Sequence, residues 1–529
     1  MGDSKNMRLF VSLVSCAGLI IASCGLFAGC GPTPTPEKVV ETVVVTKEVS
    51  VEVTKEVPVE VVVTATPAPT PEPRFDGVTL YISAVEEVYI KAFSYYADEI
   101  FDKWGIKMEF DTVPVTDAYK RDFMEFSILT SSHDIVLVFN PYLADYARHL
   151  EPIEPLAEKW GLELPPKDDV LDAFRSYERW GGVRVGVLFS PATRSLMYNK
   201  PCFERQENKD AFKSTYGYEL APPETWDQYK DMAEFFNGRD CDGDGEPEYG
   251  TTEAWRKGLW AYVWWLDRFG SYGGVYFDED MNPLINSPAG VKALQNLLDV
   301  SPFVPPGTPS LTNAEVRGIF LRGDSAMITN WSSLEIAAMF PDATPLVGDL
   351  WPALMPGVMY EGKVVRHPAF GAAWVMGIPR YAKNKDAAIH VISYMAEKEH
   401  HIELCKCLEC NINPSFVSDV EPDEWYEVWP DYPQYADEFL SVLAESARIG
   451  IPDLVISGSS EYVSVLDTEI GLALTGQKTA EQALDDAAKA WDEITDRFGR
   501  DQQKAQWNAQ HDAMKELGIV YKPEIAAQQ

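Results

Sequence analysis

The apolar positions change period several times between residues 78 and 140. VTLYIS, Val78 to Ser83, alternates and reads as a strand. Ile90, Phe93, Ile100, Phe101 and Trp104 then recur near the helical period, which predicts one helix with a single buried face. GIKMEF alternates again as a second strand, and HDIVLVFN, His133 to Asn140, is a continuous apolar run, as in a strand buried on both faces of a sheet. Strand, helix, strand, helix, strand implies an α/β lobe with a mainly parallel sheet. Ligands in such sheets sit at the carboxyl ends of the strands. The first candidate contacts are therefore Ala84 to Glu87, with Glu86 among them, and Asn140 to Tyr142.

A second block opens with RVGVLFSPATRSLMYNK, Arg184 to Lys200, a strand-like run crossed by Pro191. Helical grammar follows it. APPETWDQYKDMAEFF offers Thr225 as a cap and Asp227 in the first turn, with Phe235 and Phe236 closing the apolar stripe. NSPAGVKALQNLLDV places Ser287 as a cap and Pro288 at the first helical position, where its missing N–H leaves no bond unmade.

The pattern at the other end of the chain changes the picture of where this domain lives. Leu9 to Gly29 carries no charged side chain and follows MGDSKNMR with its basic Lys5 and Arg8, the layout of a secretory signal. Ala28 and Gly29 precede Cys30 as in a bacterial lipobox, so residues 1–29 read as a lipoprotein signal peptide with Cys30 taking the lipid. Cys24, after Ile21, Ala22 and Ser23, is the alternative site, and an uncleaved anchor helix is the alternative to cleavage. Residues 30–74 are low complexity: PTPTPE, the repeats VTKEVSVE and VTKEVPVE, and ATPAPTPEPR. Two such repeats cannot bury a core and Pro58 interrupts their ladder, so the segment reads as a tether. Extended at about 3 Å per residue, it would lift a domain roughly 100 Å from a lipid surface.

The remainder has room for two domains, and the composition of the whole chain is globular, 46% hydrophobic, with 24 Tyr, 24 Phe and 15 Trp. A formal charge of −37 argues against nucleic acid and anionic headgroups as partners. Past the tether lie Cys202, Cys241, Cys405, Cys407 and Cys410, an odd number that leaves a thiol free or paired outside the chain.

The order of segments carries a resemblance. LMYNKPCFERQ, PPETWDQYKDMAEFF, FGSYGGVYF, NSPAGVKALQNLLDV, FLRGDSAMITNWSSLE, FGAAWVMGIPRYAKNKDAAIHVISYMAEKE, NINPSF and ALTGQKTAEQALDDA follow one another as the signatures of the family 1 extracellular solute-binding proteins do. These are sugar-binding receptors of ABC importers. The resemblance spans essentially all of the chain past the tether. It implies an α/β, two-lobed periplasmic-binding-protein-like fold (type II) with three crossover segments and a ligand cleft between the lobes. Lobe one would be 75–191 and 371–412, and lobe two 192–370 and 413–529. It implies a non-enzymatic, lipid-anchored receptor on the extracellular side of the cell membrane, with a sugar and the permease subunits as partners.

A sugar offers an apolar C–H face and a rim of hydroxyls, so its receptor needs flat rings and polar side chains. By the resemblance, Trp331, Trp374 and, within a residue of register, Tyr462 correspond to ligand-facing aromatics, with Trp264 or Trp265 as neighbours. Gly273 and Gly274, after Tyr272, form a double glycine through which backbone amides approach a ligand. Asn413 and Pro414 match the cleft-lining turn. Maltodextrin-type members carry charged groups where this chain has Asn140, Pro141 and Tyr142, and a carboxylate where it has Ala192, Thr193 and Arg194. That departure weakens a claim to maltose.

Two clusters suggest metals. Asp240, Asp242 and Asp244 alternate before Gly245 like the start of an EF-hand calcium loop, with Thr251 where the bidentate Glu would stand; Glu246, Glu248 or Glu253 could complete the shell. His400, His401, Cys405, Cys407 and Cys410 form a second group, for which a local disulfide involving Cys410 is the simpler reading in an exported domain. No cofactor is otherwise required. An enzyme is the rival class, but the chain has no G-x-S-x-G, no G-x-x-x-x-G-K and no H-E-x-x-H, and a glycosidase carboxylate pair needs a spatial separation that sequence does not give.

Overall fold

The computed structural model describes residues 73–84, 87–171, 174–370 and 373–528. Cys24, Cys30, the signal segment, the tether up to residue 72 and Glu86 lie outside the described residues.

The alternating and continuous apolar runs form a five-stranded sheet. Its strands are β1 (Thr79–Ser83), β2 (Lys107–Asp111), β3 (Ile135–Phe139), β4 (Val187–Ser190) and a late-returning strand, Trp374–Gly377. β3 is buried along its whole length, as its unbroken apolar sequence requires. β1 pairs in parallel with both β2 and β3, and Trp374–Gly377 runs antiparallel between β3 and β4. The expected first helix is two: α1 (Glu87–Tyr95) and α2 (Ala97–Trp104), broken at Tyr96. The break changes the helical phase, so Ile100 and Trp104 are buried while Phe101, expected on the same face, is 44% exposed.

The long run Arg184–Lys200 does not continue as one strand. Pro191 has no N–H for the ladder, and the chain leaves the first sheet there. Beyond it, β5 (Arg194–Asn199) is the centre of a second sheet between β6 (Met327–Trp331) and β7 (Leu350–Ala353), antiparallel to both. With β7 placed, the returning strand is β8 (Trp374–Gly377). The chain therefore passes between the sheets at Pro191–Thr193, again between β7 and β8, and a third time after the helix Lys398–Lys406, when it joins helices packed on the second sheet.

Helices surround the second sheet. α3 (Trp226–Phe236) has the expected cap at Thr225, whose hydroxyl accepts from the Gln228 N–H in a full capping box. α4 (Trp260–Phe269) is buried from Ala261 onward, which suits the unbroken apolar AYVWWL. Ser287 does precede α5 (Pro288–Val300) as N-cap, but its side chain makes no capping bond. α6 (Ser332–Ala337) follows β6 directly, and α7 (Ser459–Leu474) and α8 (Ala480–Phe498) complete the layer. Cys202 is bonded to Cys241 and Cys407 to Cys410, leaving Cys405 as a buried thiol. Among the described residues no helix is long and apolar enough to cross a membrane.

One ion pair joins two of the crossovers. The Arg194 guanidinium, just past the first, donates from Nε and Nη2 to Asp267 of α4 at 2.9 and 2.7 Å, with neither side chain exposed. Asp267 also accepts from the Ala369 N–H, on the second crossover, at 3.0 Å. Asp267→Ala strands a buried cation and frees that crossover, and is expected to cost roughly 3–5 kcal/mol in denaturant-induced unfolding.

Candidate functional site

The carboxyl ends of β3 and β4, the amino end of β8 and the end of β6 meet where the crossovers run. Trp374 pairs in register with Phe139 of β3 and with Ser190 of β4. Its indole lies between Tyr89 and Phe139, with centroids at 5.5 and 5.3 Å. Asn140 ends β3 with its backbone N–H on the Ala373 carbonyl at 2.9 Å. Its side chain is buried, and neither Oδ1 nor Nδ2 has a hydrogen-bond partner. An amide left so costs about 1–3 kcal/mol unless something fills its bonds. Tyr142 packs on Tyr119 and Phe139 at 4.9 and 5.2 Å, and burial raises its phenol well above the usual value.

From the other sheet comes a group of three indoles. Trp331 meets Trp260 and Trp264 edge-on at 5.7 and 5.6 Å. The Arg194 guanidinium lies over the rings of Trp264 and Trp331, at 4.2 and 4.5 Å. Trp260 is the partly exposed member of the three. It follows a strained turn: Leu259 holds φ 126°, rare for a residue with a Cβ. Asp467 of α7 pins that turn by accepting from the N–H groups of Gly258 and Tyr262 at 2.8 and 3.2 Å. Thr193 is buried in the first crossover, its carbonyl accepting from the Ser332 N–H.

Asn413 is buried at the third crossover as a knot. Its backbone and side-chain N–H groups donate to Ser190 Oγ at 3.1 and 3.0 Å, and its Oδ1 accepts from Ser332 Oγ and the Ser333 N–H at 2.9 and 2.8 Å. The amide therefore ties the first and third crossovers to α6, with its bonds made inside the protein. Trp265 donates to the Gly290 carbonyl and stacks on Phe269 in the core.

Other expected contacts stand elsewhere. The Gly273 and Gly274 N–H groups donate to Gly270 and Phe269 at the end of α4, so they are not offered to a ligand. What requires glycine there is space and conformation: Gly273 has φ 84° and a Cβ would lie 2.4 Å from the Lys522 carbonyl, and one on Gly274 would lie 2.2 Å from the Phe269 ring. Tyr272 is buried beside them. Tyr462 is in the helical core, its hydroxyl on Thr495 at 2.8 Å and its ring against Phe277 and Trp491.

The acidic loop keeps its cluster. Carboxylate oxygens of Asp240, Asp242, Asp244 and Glu248 lie within 4.8 Å of one another, and burial together with Asp242 and Asp244 pushes Glu248 up to about 7. Gly243 and Gly245 take φ 93° and 101°, and Asn199 Nδ2 donates to Asp242 at 3.0 Å. Glu246 is exposed, with its N–H donating to Asp244 at 2.8 Å, while Thr251 and Glu253 are buried on Tyr229, Glu253 also paired with Arg268, and cannot reach the loop.

In the other cluster Cys407 and Cys410 form the local disulfide, and His401 is the centre of what remains. Its Nδ1 faces Asp419 at 2.9 Å with Cys405 Sγ at 3.6 Å, and its Nε2 faces the Phe189 carbonyl and Ser415 Oγ, both at 3.3 Å. Ser415 Oγ itself donates to the Asn413 carbonyl, so it accepts from His401. Acceptors at both nitrogens favour the protonated ring. Burial opposes the charge, but Asp419 and the Phe189 carbonyl outweigh it and raise the pKa above its ordinary value.

Two α/β lobes joined by three crossovers around such a site define a solute-binding receptor. Residues 84–401 match the bacterial extracellular solute-binding protein family, and the chain belongs to it. A probable amino-acid ABC transporter periplasmic-binding protein of Sinorhizobium fredii is 21% identical over 390 residues, covering 72% of this chain and 81% of that one. Among solved structures, a solute-binding protein of Agrobacterium radiobacter in complex with ribitol superposes with TM-score 0.66 at 19% identity, covering 80% of this chain and 100% of its own. Maltose-bound MalE3 of T. maritima gives 0.64 at 20%, covering 79% and 100%. A solute-binding protein of Agrobacterium vitis with bound D-mannitol gives 0.62 at 19%, covering 80% and 99%. The chain is thus an ABC solute-binding protein of the extracellular or periplasmic kind, in a family of transport binding proteins.

Among residues around the cleft, sequence reasoning missed Tyr89, Asp145, Trp260 and Asp467. Trp260 had a signal, four residues before Trp264 and so on the same helical face; the two aspartates had none.

The His401 imidazolium adds stability that is complete below its unfolded pKa near 6.5 and is lost as pH rises through its higher folded value. Melting temperature should therefore fall on the alkaline side, with Asp419, Cys405 and Asp169 as the titratable neighbours. His401→Gln should lower stability by roughly 1.5–3 kcal/mol at pH 6 and flatten that part of the profile.

Proposed function

We propose that the protein is a lipid-anchored extracellular receptor that encloses an uncharged polyhydroxylated solute, a sugar or polyol, and presents it unaltered to the permease of an ABC importer. The observation that carries this reading is how charge is disposed around the cleft. Arg194 is met by Asp267, Asp467 by backbone N–H groups and Asp145 by Gly458 and Tyr119. What is left to recognise a solute is the partly exposed ring of Trp260, the rings of Trp374, Tyr142 and Trp331, which are buried beside the crossovers, and the open amide of Asn140. Rings match the C–H face of a sugar and an amide matches its hydroxyls. An amino acid would need an unpaired anion and an unpaired cation for its two charged ends, which disfavours the class named for the Sinorhizobium relative. The bound ribitol, maltose and D-mannitol of the structural neighbours agree with a neutral ligand. Export and lipid attachment, at Cys30 or Cys24, are supported by the uncharged run after Lys5 and Arg8 and by the Pro- and Thr-rich segment beyond it. Closure follows from a solute that binds better when both lobes touch it.

A thermal-shift screen over sugars, polyols, sugar phosphates and amino acids tests the reading. A neutral sugar or polyol at a hundred times its Kd should stabilise by about 2.7 kcal/mol, and Asn140→Ala should weaken its binding about tenfold. Stabilisation by amino acids alone would overturn it.

We further propose that Asp240, Asp242, Asp244 and Glu248, with the Glu246 carbonyl, hold a structural calcium ion. Four convergent carboxylates on a loop closed by the Cys202–Cys241 bond support this, since without a cation they repel. Chelation by excess EGTA should lower the melting temperature and calcium should restore it; a melting curve indifferent to both ends the proposal.

A further inference from the structure

Asp145 is absent from every expected contact set, yet it makes a bond between elements of the two lobes. It sits in the short helix Leu143–Tyr146 just beyond β3 and is buried. Both of its carboxylate oxygens face the N–H of Gly458, at 3.0 and 3.2 Å, and Oδ2 also accepts from the Tyr119 hydroxyl at 3.1 Å. Gly458 is the N-cap of the sixteen-residue α7, which packs on α8, α4 and α5, and α4 is tied to the second sheet by the Asp267–Arg194 pair. The Tyr119 phenol reaches the Ser460 side chain on the same turn. A carboxylate and a phenol from one lobe thus cap a helix of the other, where orphan N–H groups and the helix dipole favour negative charge.

The receiving turn is built for this. Gly458 has φ 79°, and a Cβ there would lie 2.6 Å from the Phe498 ring. The residues leading into it are held by three glutamines on one face of the helix Arg500–Glu516. Gln510 bonds the Val455 N–H and the Asp453 carbonyl, Gln506 the Ser457 N–H and hydroxyl, and Gln503 the Ser457 carbonyl. A turn fixed on one side by glutamines and by the Phe498 ring presents its N–H at a set position, so capture by Asp145 needs no reordering of lobe two.

We propose that Asp145, supported by Tyr119, is a latch that holds the cleft shut by seating a lobe-one carboxylate on the N-terminus of α7, independently of the solute. The consequence for transport is energetic. A receptor already biased to the closed form loses less affinity to the conformational step, because apparent affinity scales with the fraction competent to bind. The inference rests on the two-lobed fold, not on the identity of the solute.

The test uses the full-length chain without solute, with fluorophores on exposed positions of the two lobes and the interlobe distance read by single-molecule energy transfer. Wild type should populate the closed distance. Asp145→Ala should raise the open-to-closed ratio about tenfold or more, the effect of losing a hydrogen bond to a charged group, and Tyr119→Phe should raise it less. Because Tyr119→Phe keeps the ring in place, it remains informative should Asp145→Ala fail to fold. A wild type found mainly open, or variants with unchanged distance distributions, would overturn the latch. So would a Tyr119→Phe effect equal to that of a control at the exposed Lys213, Lys213→Ala.

Discussion

The pairing of Arg194 with Asp267 is the interaction on which the rest of the structure turns. Removing two charges from water is expensive, and the bidentate geometry at Nε and Nη2 recovers part of that cost, while Nη1 is left without a hydrogen-bond partner. The guanidinium lies over the faces of Trp264 and Trp331. The carboxylate holds the backbone of the second crossover through Ala369. Its position follows from the register of the second sheet, in which Arg194 stands opposite Trp331. One ion pair thereby fixes where the chain leaves the first sheet, where it returns, and how the indoles beside the cleft are set.

The third crossover is joined by different chemistry to the same end. Asn413 binds Ser190 on one side and the first turn of α6 on the other, and His401 binds Phe189 and Ser415 while paired with Asp419. All three connecting strands are therefore tied by buried polar bonds rather than by apolar packing alone. Such bonds have direction, so they restrict the hinge to a few geometries where greasy contacts would permit sliding. Having used its buried charges on the hinge, the protein has few left for a ligand, and this is why the cleft reads as neutral.

Much of this was legible in sequence for physical reasons. A continuous apolar run such as IVLVF has only a doubly buried strand to go to, and a Thr followed three residues on by Gln specifies a helix start, as at Thr225. The order of segments carried the fold as a whole. What failed was anything decided by long-range packing. Phe101 had the helical period but lost its face when the helix broke at Tyr96. Gly273 and Gly274 looked like a ligand approach because glycine frees the backbone, but the sequence could not say that Lys522, from the chain's far end, is what approaches. Tyr462 was one aromatic among many, and its partner Thr495 is set by the packing of α7 on α8. Asp145 and Asp467 cap backbone N–H groups remote in the chain, a role that any aspartate could fill and no local pattern announces.

A tension remains between a cleft whose charges are internally compensated and a receptor that must respond to its solute. A ligand shifts the balance of open and closed forms only by what it gains in one over the other. If closure is already favoured by Asp145 on α7, the gain that the solute must supply is small, and weak hydroxyl and stacking contacts suffice. Where closure is costly, a charged ligand with strong bonds is the natural solution; where a latch has lowered that cost, a neutral polyol is enough. The unpartnered amide of Asn140 belongs on the same scale, since under the proposed function its unmade bonds are what a solute would fill. Under the proposed function, selectivity rests on polar groups left unsatisfied beside the crossovers, the Asn140 amide among them.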